Sequence, residues 1–313
     1  MDGDYRFFSL LHLSHRQPRQ PSHAFWMRQR SHSSPRGLMG CCLHLVRGFL
    51  ALLPFVVMAL PQASNAAPTA SEIMGLAQQQ LGAPSELVRG EMKIYRREHL
   101  ERTYTFILGR QWNGETQTEN VRVDFRSAVS VELGDSSRYA DNRYLLRRVA
   151  QAPPTQWIYM PALRRVRITP FRSAERVLSS HFFFYDLTWT LGLGDFRYQF
   201  AADSPNEQTP IVEGEPLASF VPYSRCRVTL AKRDKTYLIT EMTVESPHSQ
   251  RTVRFSDFRE VSPGYYRPRA FLWTSDDGRT ELTFEQWVVQ PTPDAAFMPM
   301  QLETRPLLMP DAE

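Results

Sequence analysis

Cysteine is scarce in this sequence. Only three of the 313 residues are cysteine, and two of them, Cys41 and Cys42, lie in an N-terminal region that we expect to be removed. Cys226 then stands alone, so an intramolecular disulfide is excluded in the mature chain. Two interpretations of Cys226 remain open. It is either a small buried apolar residue or a thiol activated by the flanking arginines, which also requires a nearby histidine.

The motifs of common catalytic sites are also missing. The sequence contains no Gly-x-Ser-x-Gly, no phosphate-binding glycine loop, no His-Glu-x-x-His and no Cys-x-x-Cys. Beyond residue 66, histidine occurs only at the scattered positions His99, His181 and His248, a pattern that does not predict a zinc site. We therefore predict no catalytic residues, no metal and no cofactor.

A positive charge excess is absent outside the N-terminal region. The chain has 37 basic and 33 acidic residues, but seven arginines and only two acidic residues lie within residues 1–66. The rest of the chain is therefore almost neutral. A protein that binds nucleic acid usually carries a basic surface, so we predict no nucleic-acid partner.

The N-terminal region has the layout of a secretory signal. The uncharged apolar run Phe49–Leu60 follows Arg47 and precedes a stretch of small residues ending at Ala66 and Ala67. The run is shorter than the roughly 20 residues that span a bilayer. We predict cleavage near Ala66 and export to the periplasm; an uncleaved amphipathic anchor is the alternative. Residues 1–38 show no periodicity, and translation from Met39 is a further hypothesis.

The remaining chain, residues 67–313, is predicted to form one domain. A short helix is expected from an N-cap at Ser71 to Leu81, before Gly82 and Pro84. Beyond it, apolar and polar residues alternate with period two, and turn signals such as Asn113-Gly114 separate the runs. This pattern predicts about ten antiparallel strands in one large curved sheet or barrel. The polar stretch 203–216 is predicted to be a surface loop.

Three segments resemble one known family. Residues 156–168, QWIYMPALRRVRI, resemble the W-x-Y-x-P-A-L-R-R-V-R signature of the outer-membrane lipoprotein-sorting protein family, which is related to the LolA/LolB periplasmic lipoprotein carriers. Residues 184–187, FYDL, and 255–261, FSDFREV, resemble two further family segments in the same order. The chain departs from the family at His181 and Phe182, where a Ser-Asp pair is usual. The resemblance extends over about residues 70 to 290.

The resemblance implies a mainly β, LolA-like fold, a single unclosed antiparallel β-barrel with short lid helices around an apolar cavity. It also implies a carrier of lipid or lipoprotein acyl chains through the periplasm, with an inner-membrane exporter or an outer-membrane acceptor as partner. Two alternatives stay open. One is a periplasmic regulatory module of the same fold that senses lipid or protein, and the other is an enzyme.

The predicted ligand contacts come from two apolar segments. Both faces of the strand expected at 157–163 are apolar, so it lies between two layers or between a layer and a ligand. A sheet packed by helices, without a cavity, is the alternative. The aromatic segment 181–189 is predicted to be part of the lid. The predicted ligand-binding residues are Trp157, Tyr159, Leu163, Phe182, Phe184, Tyr185 and Trp189.

Three arginines follow the first of these segments. Arg164, Arg165 and Arg167 are predicted to form a rim that meets phosphate or carboxylate head groups, which the arginine side chain binds in a bidentate manner. Solvated or ion-paired arginines are the alternative.

Overall fold

The computed structural model describes residues 67–130, 140–188, 192–247 and 249–310. The predicted signal peptide, Trp189 and His248 lie outside these residues. Thirteen strands form one sheet within the described chain. The strands are β1 Ser85–Arg96, β2 His99–Asn113, β3 Thr118–Ser130, β4 Arg143–Val149, β5 Thr155–Met160, β6 Arg165–Thr169, β7 Phe196–Phe200, β8 Ile211–Pro216, β9 Arg225–Arg233, β10 Thr236–Ser246, β11 Ser249–Ser262, β12 Tyr265–Ser275 and β13 Gly278–Val288.

The sheet is antiparallel and open. Its strand order is β6-β5-β4-β3-β2-β1-β13-β12-β11-β10-β9-β8-β7, so β6 and β7 are the two edges. The pairing of β1 with β13 joins the two halves of the chain, with Leu87 opposite Val288. The mainly β, unclosed fold is confirmed, but the strand number is thirteen rather than about ten. The difference arises in part because β8 lies within the stretch 203–216 that the sequence predicted to be a surface loop.

One face of the sheet, here called the inner face, carries the main core. Helix α1, Ala70–Leu81, packs on this face through Ile73, Met74 and Ala77. Its N-cap is Thr69 rather than the predicted Ser71, because Thr69 and Glu72 form a reciprocal capping box.

The chain between the two edge strands also lies on the inner face. We call residues 170–195, of which 170–188 and 192–195 are described, the crossing segment. It contains short 3-10 turns at Val177–Ser179, Phe184–Thr188 and Leu193–Asp195. Its apolar side chains are buried in the main core together with residues of the sheet. The crossing segment therefore spans the opening of the unclosed sheet from edge to edge.

The opposite, outer face is covered by the C-terminal segment, residues 289–310. This segment contains a 3-10 turn, Asp294–Phe297, and the short helix α2, Gln301–Thr304. Phe297 and Leu302 pack on Leu145, and Leu307 packs on Leu87 and Ile107. The C-terminal segment therefore forms part of the packed fold.

Two further sequence expectations about local structure are wrong. The stretch 203–216 is not all loop, because Ile211–Pro216 pairs with β7 and β9. The strand expected at 157–163 ends at Met160, because Pro161–Leu163 forms a 3-10 turn. Arg164 closes that turn in the left-handed conformation, with a φ of 49°.

Candidate functional site

An apolar cavity lies between the inner face and the crossing segment. Its volume is about 90 Å³, and strands from both halves of the sheet contribute to its wall. Met92 on β1, Phe106 on β2, Val123 on β3, Phe271 on β12 and Phe284 on β13 all line it. Strands β1 and β13 pair directly, so the cavity lies over the seam that joins the two halves.

Aromatic rings form much of the cavity wall. The ring centroids of Phe271 and Phe284 are 4.7 Å apart, and those of Phe255 and Phe271 are 4.8 Å apart, both in edge-to-face geometry. Phe106 meets Phe284 in the same way at 6.1 Å. Edge-to-face contacts of this kind are favourable, so the wall is packed by its own rings and the remaining space is small.

The crossing segment closes the cavity with apolar side chains. Val177, Phe182, Tyr185 and Leu193 line the cavity from this side. Phe184 is buried but packs on the Tyr144 ring at 5.2 Å and does not line the cavity. Of the lid residues expected from the sequence, the structure thus brings Phe182 and Tyr185 to the cavity.

A first polar anchor holds the middle of the crossing segment. The Asp186 carboxylate accepts hydrogen bonds from Phe183 N at 2.7 Å and from Tyr223 Oη at 2.5 Å. Arg251 donates to Tyr223 Oη at 2.9 Å and to the His181 carbonyl at 3.1 Å. Burial raises the pKa of Asp186, while Arg251 and the Tyr223 hydrogen bond oppose that rise.

A second anchor holds the end of the segment. Arg148 on β4 forms a fully buried ion pair with Asp195 and donates to Thr188 Oγ1 at 3.2 Å. The Tyr185 hydroxyl donates to Asp195 Oδ2 at 2.7 Å. Burial raises the pKa of Tyr185 well above its usual value, so the phenol stays neutral and acts as a donor.

A third anchor includes the histidine where the chain departs from the family pattern. His181 is fully buried, and its backbone N and Nδ1 lie 3.0 and 2.8 Å from Thr280 Oγ1. Its Nε2 is 3.5 Å from Asp277 Oδ1, and Arg176 donates to Asp277 Oδ2 at 2.8 Å. Burial lowers the pKa of His181 to about 4, so the imidazole is neutral near pH 7.

The strand residues expected at the ligand are placed elsewhere. Trp157 and Tyr159 pack with Phe297 and Leu302 on the outer face, and Leu163 is 44% exposed in its 3-10 turn. Strand β5 is apolar on both faces because the C-terminal segment covers one of them, and Ile158 joins the main core on the other. This corrects the expectation that Trp157, Tyr159 and Leu163 line the cavity.

The predicted rim arginines lie at an edge of the sheet. Arg164, Arg165 and Arg167 are exposed on or beside the edge strand β6. None of them forms an ion pair within the described chain. Their role toward head groups stays a prediction.

Cys226 is a packed residue. Its side chain is buried and its thiol lies against Gly214 on the neighbouring strand, where an added Cβ would stand 2.6 Å from Sγ. Burial raises the pKa of the Cys226 thiol to about 12, which disfavours the reactive thiolate.

The sequence did not point to the buried arginines that anchor the crossing segment. Arg148 and Arg251 are fully buried, whereas arginine is usually exposed. Their sequence signal is parity: Arg148 alternates in step with the apolar Tyr144 and Leu146 on β4, and Arg251 with Val253 and Phe255 on β11.

The described residues contain no helix that is long and apolar enough to cross a membrane. Within the same residues, no group of three or more histidine, cysteine, aspartate or glutamate side chains is arranged to hold a metal ion.

The fold is similar to those of three solved structures. A putative outer membrane lipoprotein-sorting protein domain from Vibrio parahaemolyticus superposes with a TM-score of 0.63 at 19% identity, covering 75% of this chain and 99% of that one. A DUF1329 family protein from Desulfovibrio piger gives 0.63 at 16% identity, with the same coverage. A LolA superfamily protein from Nitrosomonas europaea gives 0.56 at 15% identity, covering 74% and 98%. At these identities the likeness shows the fold alone.

A family model matches residues 129–304, more than half of the chain, and its description reads "Uncharacterized protein". The chain belongs to that family. No curated protein matches the sequence.

Proposed function

We propose that the protein binds the acyl chain of a lipid or lipoprotein beneath the crossing segment and carries it through the periplasm. The observation that carries this proposal is the apolar cavity over the β1–β13 seam, closed by a segment that side-chain anchors hold in place. The LolA-like fold and the predicted signal peptide support the same proposal. It involves no chemical step on the ligand.

The cavity size implies that loading requires movement. A cavity of roughly 150 Å³ admits one benzene molecule, so about 90 Å³ is too small for a long acyl chain. The structure therefore corresponds to a closed state in this proposal. Displacing the crossing segment exposes the aromatic wall, and burying a long chain gains on the order of 10 kcal/mol before ordering costs, at roughly 0.8 kcal/mol per methylene.

A titration tests whether the cavity binds acyl chains. Delipidated protein is titrated with a fluorescent fatty-acyl probe, and Val123→Phe is compared with Val129→Phe. Both lie on β3, but Val123 lines the cavity and Val129 is 53% exposed. We expect Val123→Phe to weaken binding several-fold or more while Val129→Phe leaves it unchanged. Circular dichroism confirms the fold of each variant.

Mass spectrometry of protein purified from its native envelope provides an independent measurement. The proposal expects co-purifying lipid or lipoprotein, and transfer of that cargo to acceptor vesicles. If folded wild-type protein neither binds the probe nor retains an amphiphile, the carrier proposal fails.

The small cavity also favours a second candidate. A regulatory module of the same fold uses a filled interior and an exposed partner surface, and it does not move cargo. Folded wild-type protein that binds no acyl probe would support this candidate over carriage.

A further inference from the structure

A second concave site lies on the outer face, separate from the apolar cavity. It is a groove of about 710 Å³ between the ends of β2, β3 and β4 and residues 289–298 of the C-terminal segment. That volume lies within the range of roughly 300–1,000 Å³ that is usual for small-molecule sites. We call it the outer groove.

A ladder of hydrogen bonds crosses the groove. Asn120 on β3 stands in register with Gln111 on β2 and Arg147 on β4. Asn120 Nδ2 donates to Gln111 Oε1 at 3.1 Å, and Arg147 Nε donates to Asn120 Oδ1 at 2.9 Å. Gln111 Nε2 donates to Asp294 Oδ1 at 2.5 Å, and Arg147 Nη2 donates to the Phe297 carbonyl at 3.1 Å. These hydrogen bonds thus fix the orientation of the side-chain amides of Gln111 and Asn120.

The ladder retains hydrogen-bonding capacity. A primary amide has two N–H donors, and Gln111 and Asn120 each use one of them toward other described residues. The remaining N–H of each side chain is available to a ligand in the groove.

A buried hydroxyl lines the same groove. Thr292 is 8% exposed, and its Oγ1 has no hydrogen-bond partner within the described chain. Its backbone N donates to Ser85 Oγ at 3.1 Å, which fixes the residue in place. Buried polar groups nearly always have a partner, and a rotation of the Thr292 side chain would turn this hydroxyl toward a ligand bound in the groove.

The composition of the groove identifies the ligand class. Asn113, Thr116, Thr118 and Gln290 add further neutral amides and hydroxyls. Among the described lining residues, Arg147 and Asp294 carry charges of opposite sign. An anion finds no excess positive charge here. An extended peptide is usually bound by pairing with a free strand edge, whereas β2, β3 and β4 are all paired on both sides. We propose that the outer groove binds a neutral saccharide, whose hydroxyls meet the amides and Thr292.

The test compares two substitutions at Thr292, which lines the groove, with one at Thr283, which does not. Thr292→Val removes the hydroxyl at nearly constant shape, and Thr292→Ser restores it. Thr283→Val is the control, because Thr283 is exposed on β13 and does not line the groove. Equal melting temperatures confirm that all variants fold.

Saturation-transfer NMR is recorded with maltose, N-acetylglucosamine and diacetylchitobiose, and with glucose 6-phosphate as the charged probe. We expect transfer to at least one neutral sugar, at least fivefold weaker in Thr292→Val, recovered in Thr292→Ser and unchanged in Thr283→Val. Co-sedimentation with insoluble cell-wall glycan distinguishes a polymer from free sugar as the source. Absence of transfer, transfer to the charged sugar alone, or an unaffected Thr292→Val variant overturns the proposal.

Discussion

Buried arginines are the distinctive residues of this protein. Arg122, Arg148, Arg251 and Arg267 are among its largest fully buried side chains. Arg122 pairs with Asp124 at 2.9 Å, and Arg267 pairs with Glu86 at 2.9 Å and caps the α1 carbonyls of Gln80 and Leu81. Removing one partner of a buried pair leaves an uncompensated charge, which costs about 3–5 kcal/mol. Arg122 also donates to the Ala296 carbonyl at 2.7 Å, so Arg122 and Arg267 tie strands to the C-terminal segment and to α1.

The buried thiol leads to the first prediction. Cys226→Ser should lower the free energy of unfolding by about 1–3 kcal/mol, because a hydroxyl replaces a packed thiol. Chemical denaturation measures the loss. A thiol reagent at pH 8 should label native Cys226 slowly and the denatured chain rapidly. In the Cys226→Ser background, Ser256→Cys provides an exposed thiol as the fast-labelling control. Loss of ligand binding in folded Cys226→Ser protein would contradict a purely packed role.

The pKa of His181 gives a prediction for pH dependence. The unfolded chain binds a proton at this histidine near pH 6.5, whereas the folded chain does so only near pH 4. Stability should therefore fall as the pH decreases from 6.5 to 4, by up to about 3 kcal/mol. His181→Asn should flatten this part of the stability profile, measured by urea denaturation at several pH values. His99→Asn, at an exposed position, should not. Equal pH dependence of the unfolding free energy in wild type and His181→Asn would contradict the lowered pKa of His181.

At the scale of elements, the sequence predicts which residues form strands better than it predicts which part of the chain packs on each face of those strands. Alternation over residues such as Val121 and Val123 identifies the long strands, because their inner faces are apolar. Alternation is a weaker signal for β6. Its residues Arg165, Val166 and Arg167 alternate, but of these three only Val166 packs on the core beneath the C-terminal segment. Pattern alone also cannot tell that Trp157 faces this segment rather than a ligand. That distinction depends on which distant part of the chain covers each face.

The first anchor of the crossing segment gives a prediction for local stability. Tyr223→Phe removes the hydroxyl that joins Asp186 to Arg251. The expected cost is about 1–3 kcal/mol, because two buried charged groups lose a hydrogen bond. Hydrogen exchange should accelerate most at amides 181–188. The control is Tyr265→Phe, whose hydroxyl is not part of an anchor. A uniform increase in the hydrogen-exchange rate over the whole sheet would argue against a crossing segment that moves separately.

The C-terminal segment should behave as part of the fold. Phe297→Ala removes a side chain that is 1% exposed and packs on Leu145, so we expect a loss of about 3–5 kcal/mol. Met298→Ala, next to it and 47% exposed, should change stability by less than about 0.5 kcal/mol. Thermal denaturation compares the two. Similar melting temperatures would mean that the segment is dispensable for folding.

At the scale of the whole molecule, processing of the N-terminal region is a prediction that lies outside the described residues. Protein recovered from the periplasm should begin at or within a residue or two of Ala67, as N-terminal sequencing would show. Translation from Met39 should leave export unchanged, because residues 1–38 add nothing that a secretory signal requires. Intact residues 1–66 on cytosolic protein would contradict the predicted export.

The β1–β13 seam has a consequence for folding. These two strands lie near opposite ends of the described chain, yet they are direct neighbours in the middle of the sheet. Contacts between residues so far apart in sequence form slowly, because a long loop must close first. The complete sheet cannot assemble until almost the entire polypeptide is present. The two halves of the sheet thus stay unpaired for most of the synthesis of the chain, which is compatible with the predicted export of the polypeptide before it folds.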